Sequence, residues 1–225
     1  MSFVFTPPSQ AAVAIEGSHD RFPVRRIFCV GRNYAAHARE MGSDGRDPPF
    51  FFTKPADAVV ESGATIPYPA DTADLHHEIE LVCAIGRGGA NIAVEQALDH
   101  VFGYAVGIDL TRRDRQAEAK QAGKPWDMAK GFDRSAPISA IRPGGHPGEG
   151  RIWLAVDGHV RQDGDLRDMV WTIAETIAHL SRTVELQPGD LIFTGTPEGV
   201  GPVGRGQTLT GGVARVGDIR LSIAG

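Results

Sequence analysis

Short apolar runs, broken every few residues by glycine, proline or polar turns, dominate this chain. That pattern predicts many short strands rather than long helices. Arg26-Ile27-Phe28-Cys29-Val30 reads as a buried strand stopped by Gly31. A short helix follows from Tyr34 to Met41, ended by Gly42. The stretch Gly42 to Pro49 is a polar loop of glycine, proline and aspartate, and the whole segment Gly31 to Pro49 is expected to act as a lid that orders over a bound ligand. Phe50-Phe51-Phe52-Thr53 is a strand ending at Lys54-Pro55, and Ile66-Pro67-Tyr68-Pro69 can pair only at a sheet edge. Two further strands are expected around Glu78 to Cys83 and from Tyr104 to Asp109, with a short helix at Val94 to His100 between them. A polar helix runs from Arg112 to Ala122, stopped by Gly123 and Pro125. Asp157-Gly158 favours a type I′ turn, so Ile152–Val156 and His159–Arg161 form a hairpin. Ile173, Ile177 and Leu180 recur at helical spacing within Thr172–Ser181. Asp190–Thr194 and Ile219–Ile223 are late strands. The reading is a strand-rich α+β domain with short helices over residues 24–225, preceded by an arm at 1–23.

Composition supports an ordinary globular enzyme-sized domain. The 225 residues are 41% hydrophobic and 23% charged, enough for a sizeable core. The 28 glycines and 15 prolines agree with many tight turns. The formal net charge of −5 is interspersed along the chain, with no basic stripe, which argues against a nucleic-acid partner. No apolar run is long enough to cross a bilayer, and Met1 to Pro8 lacks the pattern of a signal peptide. A cytoplasmic location is therefore expected. Cys29 and Cys83 lie in apolar runs and read as reduced, buried side chains, and without a Cys-x-x-Cys a zinc site is not expected.

The chemistry concentrates on a few polar residues inside apolar surroundings. Glu78 and Glu80 sit two apart in His77-Glu78-Ile79-Glu80-Leu81, so a strand would project them to one face. Asp109 closes the run that begins at Tyr104. Three carboxylates beside a core repel unless a cation lies between them, and an all-oxygen set suits Mg²⁺, Mn²⁺ or Ca²⁺. The wet face of an amphipathic strand also reads Glu-x-Glu. His37 and Glu40 share a helix face, an arrangement that raises imidazole basicity for water activation, or else a plain surface pair. Arg113 and Gln116 also fall three apart on one helix face, where a guanidinium and an amide could hold a carboxylate or keto group. Lys130 lies between Ala129 and Gly131-Phe132, either aimed at a site or snorkelling. The Thr194–Pro202 loop is rich in glycine and proline and offers hydroxyls and N–H groups to an anion, without the Walker signature. His76 and His77 point to opposite faces of a strand and read as structural.

Together these stretches resemble the fumarylacetoacetate hydrolase family. The matching segments are Gly31–His37 with Glu40, Phe52–Pro55, Asp74–Leu81, Gly107–Gln116, Pro125–Asp133 and Gly189–Pro202, in the family's order and spacing. The resemblance runs from about Arg25 to near the C-terminus, and the chain's length matches the short acylpyruvase-type branch. It implies the family's mixed β-sandwich roll, a homodimer, and one Mg²⁺ or Mn²⁺ per subunit on Glu78, Glu80 and Asp109. It further implies that His37 and Glu40 activate water. Lys130, Gln116, Arg113 and Thr196 would position the pyruvoyl end, and Arg32 joins the substrate-binding set. The implied substrate is a small dioxo acid: a 2,4-dioxo acid such as fumarylpyruvate would be cut to fumarate and pyruvate, as in gentisate breakdown. Oxaloacetate decarboxylation, or isomerisation and decarboxylation in the homoprotocatechuate route, are alternatives on the same scaffold. A calcium module that only binds is a third reading.

Overall fold

The computed structural model describes residues 2–34 and 47–225. The expected helix beyond Tyr34, most of the Gly42–Pro49 loop and the His37–Glu40 pair lie outside the described residues.

Two sheets enclose the main core. The larger has eight strands, in the spatial order Phe50–Lys54, Arg26–Gly31, Asp190–Phe193, Ile79–Ile85, Val101–Ile108, Ala136–Ile138 and Val59–Glu61, with Arg142–Pro143 pairing against Val101–Ile108. Arg26–Gly31 runs parallel to Asp190–Phe193, and Ala136–Ile138 parallel to Val59–Glu61, whereas the other pairs are antiparallel. The second sheet orders His159–Asp165, Arg151–Val156, Thr208–Val213, Gly217–Ile223 and the short edge strand Thr65–Ile66. This is the strand-rich α+β roll that the sequence led us to expect.

All seven residues of Ile79–Ile85 are buried, because both faces of this central strand are covered. Ile79, Leu81, Cys83 and Ile85 meet Ile152, Leu154, Leu209 and Leu221 of the second sheet in the larger cluster. Val82 and Ala84, on the other face, join Cys29, Ala105 and Phe193 in a second cluster that also takes Val13 and Phe22 from the N-terminal hairpin. Glu80 alternates onto that same second face. Both cysteines are free and buried.

Local signals that could be read without tertiary context appear as expected. Asp157 and Gly158 have φ of 49° and 80°, the backbone a type I′ turn needs. The helix Ile173–Thr183 starts with a capping box: the Thr172 hydroxyl accepts from the Glu175 N–H, and the Glu175 carboxylate accepts from the Thr172 N–H. The polar helix spans Arg113–Gln121, and Val94–His100 forms a 3₁₀ helix. No helix among the described residues is long and apolar enough to cross a membrane.

One local expectation needs correction. Glu78 and Glu80 do not lie in a single strand. The chain leaves the large sheet at Glu78, and Leu75–His77 belongs instead to a three-stranded sheet with Thr111–Arg112 and Gly201–Pro202. The antiparallel neighbour breaks at the same level, between Ile108 and Thr111. Two paired strands therefore change sheets together, and the carboxylates sit at the break.

Candidate active site

The break brings the acids together. Asp109 N–H donates to the Glu78 carbonyl at 2.8 Å, so the two acids face each other across the ladder. Glu80 lies two residues on, paired with Gly107. One carboxylate oxygen from each of Glu78, Glu80 and Asp109 falls within 4.8 Å of the others, and all three residues are buried. Glu80 Oε2 accepts from the Gly195 N–H at 2.7 Å. Burial, then the charges of Asp109 and Glu78, push the Glu80 carboxyl well above its ordinary range, against the pull of that N–H and of Lys130.

Among the described residues, three cations lie against the acids. Lys130 is only 2% exposed, so its ammonium is buried rather than snorkelling. It donates to Asp109 Oδ2 at 2.7 Å, to Glu78 Oε2 at 2.9 Å and to Thr111 Oγ1 at 2.7 Å. Burial works against its charge, but Asp109 and Glu78 outweigh it and hold the ammonium above its ordinary pKa. Lys54 Nζ lies 2.8 Å from Asp109 Oδ1 and donates to the Leu110 carbonyl at 3.1 Å and to the Lys130 carbonyl. Arg113 donates to Glu78 Oε1 at 2.5 Å and to Gln116 Oε1 at 2.5 Å. Its Nε donates to His76 Nδ1 at 3.3 Å, and His76 Nε2 donates in turn to Asp74 at 2.9 Å. Burial and the Arg113 charge lower the His76 pKa, which favours the neutral ring this relay requires.

The acid set fits a hard divalent cation. The donors are all oxygen, as such ions prefer. Asp109 Oδ1 is buried and accepts no hydrogen bond, the Lys54 ammonium being near it but not aligned. A buried anionic oxygen with an acceptor position to spare is what a metal ligand offers.

Gln162 fastens this floor to the Thr194–Pro202 loop. It is fully buried, and its amide oxygen accepts from Ile79 N–H and His77 Nδ1–H, both at 3.0 Å. Its amide nitrogen donates to Thr196 Oγ1 at 2.8 Å and to the Pro197 carbonyl at 2.9 Å. Burial lowers the His77 pKa to about 4, so the ring stays neutral. Asn33 fastens the opposite wall. Its side chain donates to the carbonyls of Thr194 and Trp171 and accepts from Trp171 N–H. Gly195 has φ +94°, and a Cβ there would lie 2.6 Å from the Asn33 Cβ, so only glycine lets this wall approach.

The small cavity beside the acids is lined by Glu78, Glu80, Arg113, Gln116, Lys130 and Thr196 and by Arg32, Phe50, Phe52 and Trp126. Phe50 and Trp126 meet edge to face at 5.3 Å. Phe50 folds over Gly31, where a Cβ would lie 2.0 Å from its ring. Arg32 adopts φ 60°, a conformation costing about 1–3 kcal/mol in a non-glycine residue. Among the described residues its buried Nε has no hydrogen-bond partner. The structure thus brings seven of the sequence-derived candidates to the lining of one cavity, Glu78, Glu80, Lys130, Arg113, Gln116, Thr196 and Arg32, with Asp109 buried against Glu78 and Glu80 in the acid cluster. His37 and Glu40 fall outside the described residues.

Sequence reasoning missed Lys54, Gln162 and Asn33 as site residues. For Lys54 a signal existed: a lone lysine closing the apolar strand Phe50–Lys54, a poor place for a solvated ammonium. Lys54→Met should cost about 3–5 kcal/mol in urea denaturation, since it leaves a buried Asp109 less balanced and two carbonyls without their donor. An unchanged midpoint would mean that Lys54 is dispensable to the acid cluster.

Comparison with known proteins gives a consistent set. The family model for the fumarylacetoacetate (FAA) hydrolase C-terminal domain matches residues 26–224. A crystal structure of fumarylpyruvate hydrolase from Pseudomonas aeruginosa, in complex with Mn²⁺ and pyruvate, superposes with a TM-score of 0.96 at 52% identity, covering 99% of each chain. An oxaloacetate tautomerase, mitochondrial FAHD1 of Arabidopsis thaliana, is 42% identical over 201 residues, 88% of this chain and 90% of that protein. A mitochondrial oxaloacetate decarboxylase of Dictyostelium discoideum is 40% identical over 193 residues, 84% of this chain and 88% of that protein.

Proposed function

The chain belongs to the fumarylacetoacetate hydrolase family, and on that premise we propose that it is a metal-dependent hydrolase cleaving the C–C bond of a 2,4-dioxo acid, with fumarylpyruvate as substrate and fumarate and pyruvate as products. The observation that carries this reading is the buried Glu78–Glu80–Asp109 cluster with Lys130 and Arg113 against it, at the floor of a small aromatic-walled cavity. Similarity to a fumarylpyruvate hydrolase that holds Mn²⁺ and pyruvate supports it.

Charge balance points the same way. Among the described residues, Lys54, Lys130 and Arg113 bring three formal positive charges to the three acids, through ion pairs with Asp109 and Glu78. A divalent cation then leaves a surplus of positive charge, which a dianionic substrate neutralises. Held by Glu78, Glu80 and Asp109, Mg²⁺ or Mn²⁺ supplies Lewis-acid polarisation of a keto oxygen. The remaining work belongs to the chain's own side chains. Arg113, Gln116 and Thr196 hold the pyruvoyl carboxylate and keto oxygens, and Arg32 closes the cavity over the substrate. His37, oriented by Glu40, takes a proton from water as it attacks the distal carbonyl. When the C–C bond breaks, charge develops on pyruvate enolate, and the ammonium of Lys130, a buried residue, stabilises it. Protonation gives pyruvate. In this reading residues 24–225 form the catalytic domain behind an arm at 1–23, and the enzyme is a cytoplasmic homodimer of gentisate breakdown.

A second reading has specific support. The curated relatives named for oxaloacetate tautomerase and oxaloacetate decarboxylase match at about 40% identity. Decarboxylation of oxaloacetate gives the same enolate without an attacking water. Purified protein should be assayed on fumarylpyruvate, acetylpyruvate and oxaloacetate, with Mn²⁺ and with excess EDTA, and the products identified. Hydrolysis of the acylpyruvates that EDTA abolishes is the expected result. Turnover of oxaloacetate alone would replace the hydrolase reading with the second one, and full activity in EDTA would sink the metal assignment.

A further inference from the structure

Arg113 and Gln116 line the cavity from one face of the helix Arg113–Gln121, and Lys120 falls on that same face, one turn beyond Gln116. Its ammonium stands over the Trp126 ring, 5.6 Å from the centroid. Arg32 stands over the Phe50 ring at 5.9 Å. These two rings are the edge-to-face pair that roofs the cavity. Two cations thus sit on the two rings of one aromatic pair. Among the described residues neither carries a carboxylate partner, and Arg32 Nε has no partner at all. The other cations of the site, by contrast, each lie against a carboxylate. Partial burial, then the like charges of Arg32 and Arg113, lower the Lys120 pKa. Cations pressed together without an anion form a receptor for one.

Past the rings the cavity opens into a groove lined by Phe50–Thr53 and Lys124–Asp127, sharing Phe50, Phe52, Trp126 and Lys130 with it. An acyl arm leaving the acid floor must pass along this aromatic wall. One helix turn, about 5.4 Å, separates the level of Gln116 from that of Lys120. In fumarylpyruvate the distal carboxylate lies three carbons beyond the carbonyl that water attacks, a similar reach. Acetylpyruvate ends in a methyl group at the first of those carbons.

We propose that Lys120, together with Arg32, binds the distal carboxylate of the acyl arm and so makes the site selective for dicarboxylic acylpyruvates. This inference rests on the acylpyruvate reading above. It adds that the chain carries a second anion subsite, separate from the one that holds the pyruvoyl carboxylate.

The test compares two substrates that differ in the arm. The ratio of kcat/KM for fumarylpyruvate over acetylpyruvate should fall roughly ten- to hundredfold in Lys120→Met, mostly through KM, as the loss of one charged hydrogen bond implies. Lys120→Arg keeps the charge and should retain most of the ratio. Equal losses on both substrates, with the ratio unchanged, would overturn the proposal and make Lys120 a prop for Trp126. Stopped-flow tryptophan fluorescence on mixing reads binding before turnover and separates the two claims. If the wild type hydrolyses neither compound, the reaction assignment fails. Tighter binding of fumarylpyruvate that Lys120→Met erases still supports the subsite, and a binding preference that survives Lys120→Met, or its absence in the wild type, refutes it.

Discussion

Glu80→Gln should abolish Mn²⁺ binding and turnover together while the fold survives. Glu80 is buried, Asp109 and Glu78 repel its charge, and the Gly195 N–H and Lys130 favour it. Glutamine keeps the shape and an oxygen for the Gly195 N–H, so that bond is retained. It removes the anionic ligand. Since altering even an outer partner of a metal site costs about 10–100-fold in affinity, losing a ligand charge should cost at least roughly a hundredfold. Calorimetric titration with Mn²⁺, circular dichroism and the coupled pyruvate assay form one experiment. A Glu80→Gln protein that is folded, binds Mn²⁺ normally and turns over would show that the cluster is not the metal centre. Glu80→Ala should lose metal in the same way and also some stability, about 1–3 kcal/mol, because the buried Gly195 N–H is left unsatisfied.

His37→Ala should reduce acylpyruvate hydrolysis by roughly 10²–10⁴-fold, the usual contribution of a general base, with Mn²⁺ affinity nearly intact. Among the described residues, Lys54, Arg113 and Lys130 already lie against Asp109 and Glu78. On the proposed mechanism the His37–Glu40 pair acts only where water is the nucleophile. Oxaloacetate decarboxylation should therefore suffer less, and the ratio of the two rates is the informative quantity. An equal fall in both would mean that His37 and Glu40 shape or close the site instead.

Much of this protein is written in local patterns. The Asp157-Gly158 turn, the Thr172–Glu175 cap and the helix at Arg113–Gln121 each depend on residues within a few positions of one another. Backbone sterics and side-chain reach over that range do not need the rest of the fold. The acids were equally legible. Glu80 inside the apolar run Ile79–Ile85, and Glu78 and Asp109 at the ends of that run and of Val101–Ile108, are improbable in such surroundings unless something compensates them. The family resemblance rested on these same stretches, and the match over residues 26–224 agrees with it.

What the sequence could not convey was who compensates whom. Lys54 meets the Leu110 carbonyl across 56 positions, and Gln162 meets His77 across 85. Neither pairing has a local pattern, because each exists only after strands from distant parts of the chain lie side by side. The break at Glu78 is of the same kind. A run such as Leu75–Ile85 looks continuous by alternation alone, and it changes sheets only because its neighbour breaks at Asp109 as well. Local chemistry chose the elements and marked the acids. Tertiary pairing decided that Glu78 faces Asp109, that Lys130 is buried against both, and that Lys120 and Arg32 share one aromatic roof. The reason is that burial and charge pairing are properties of the assembled packing, whereas turn and cap geometry are properties of a few adjacent residues.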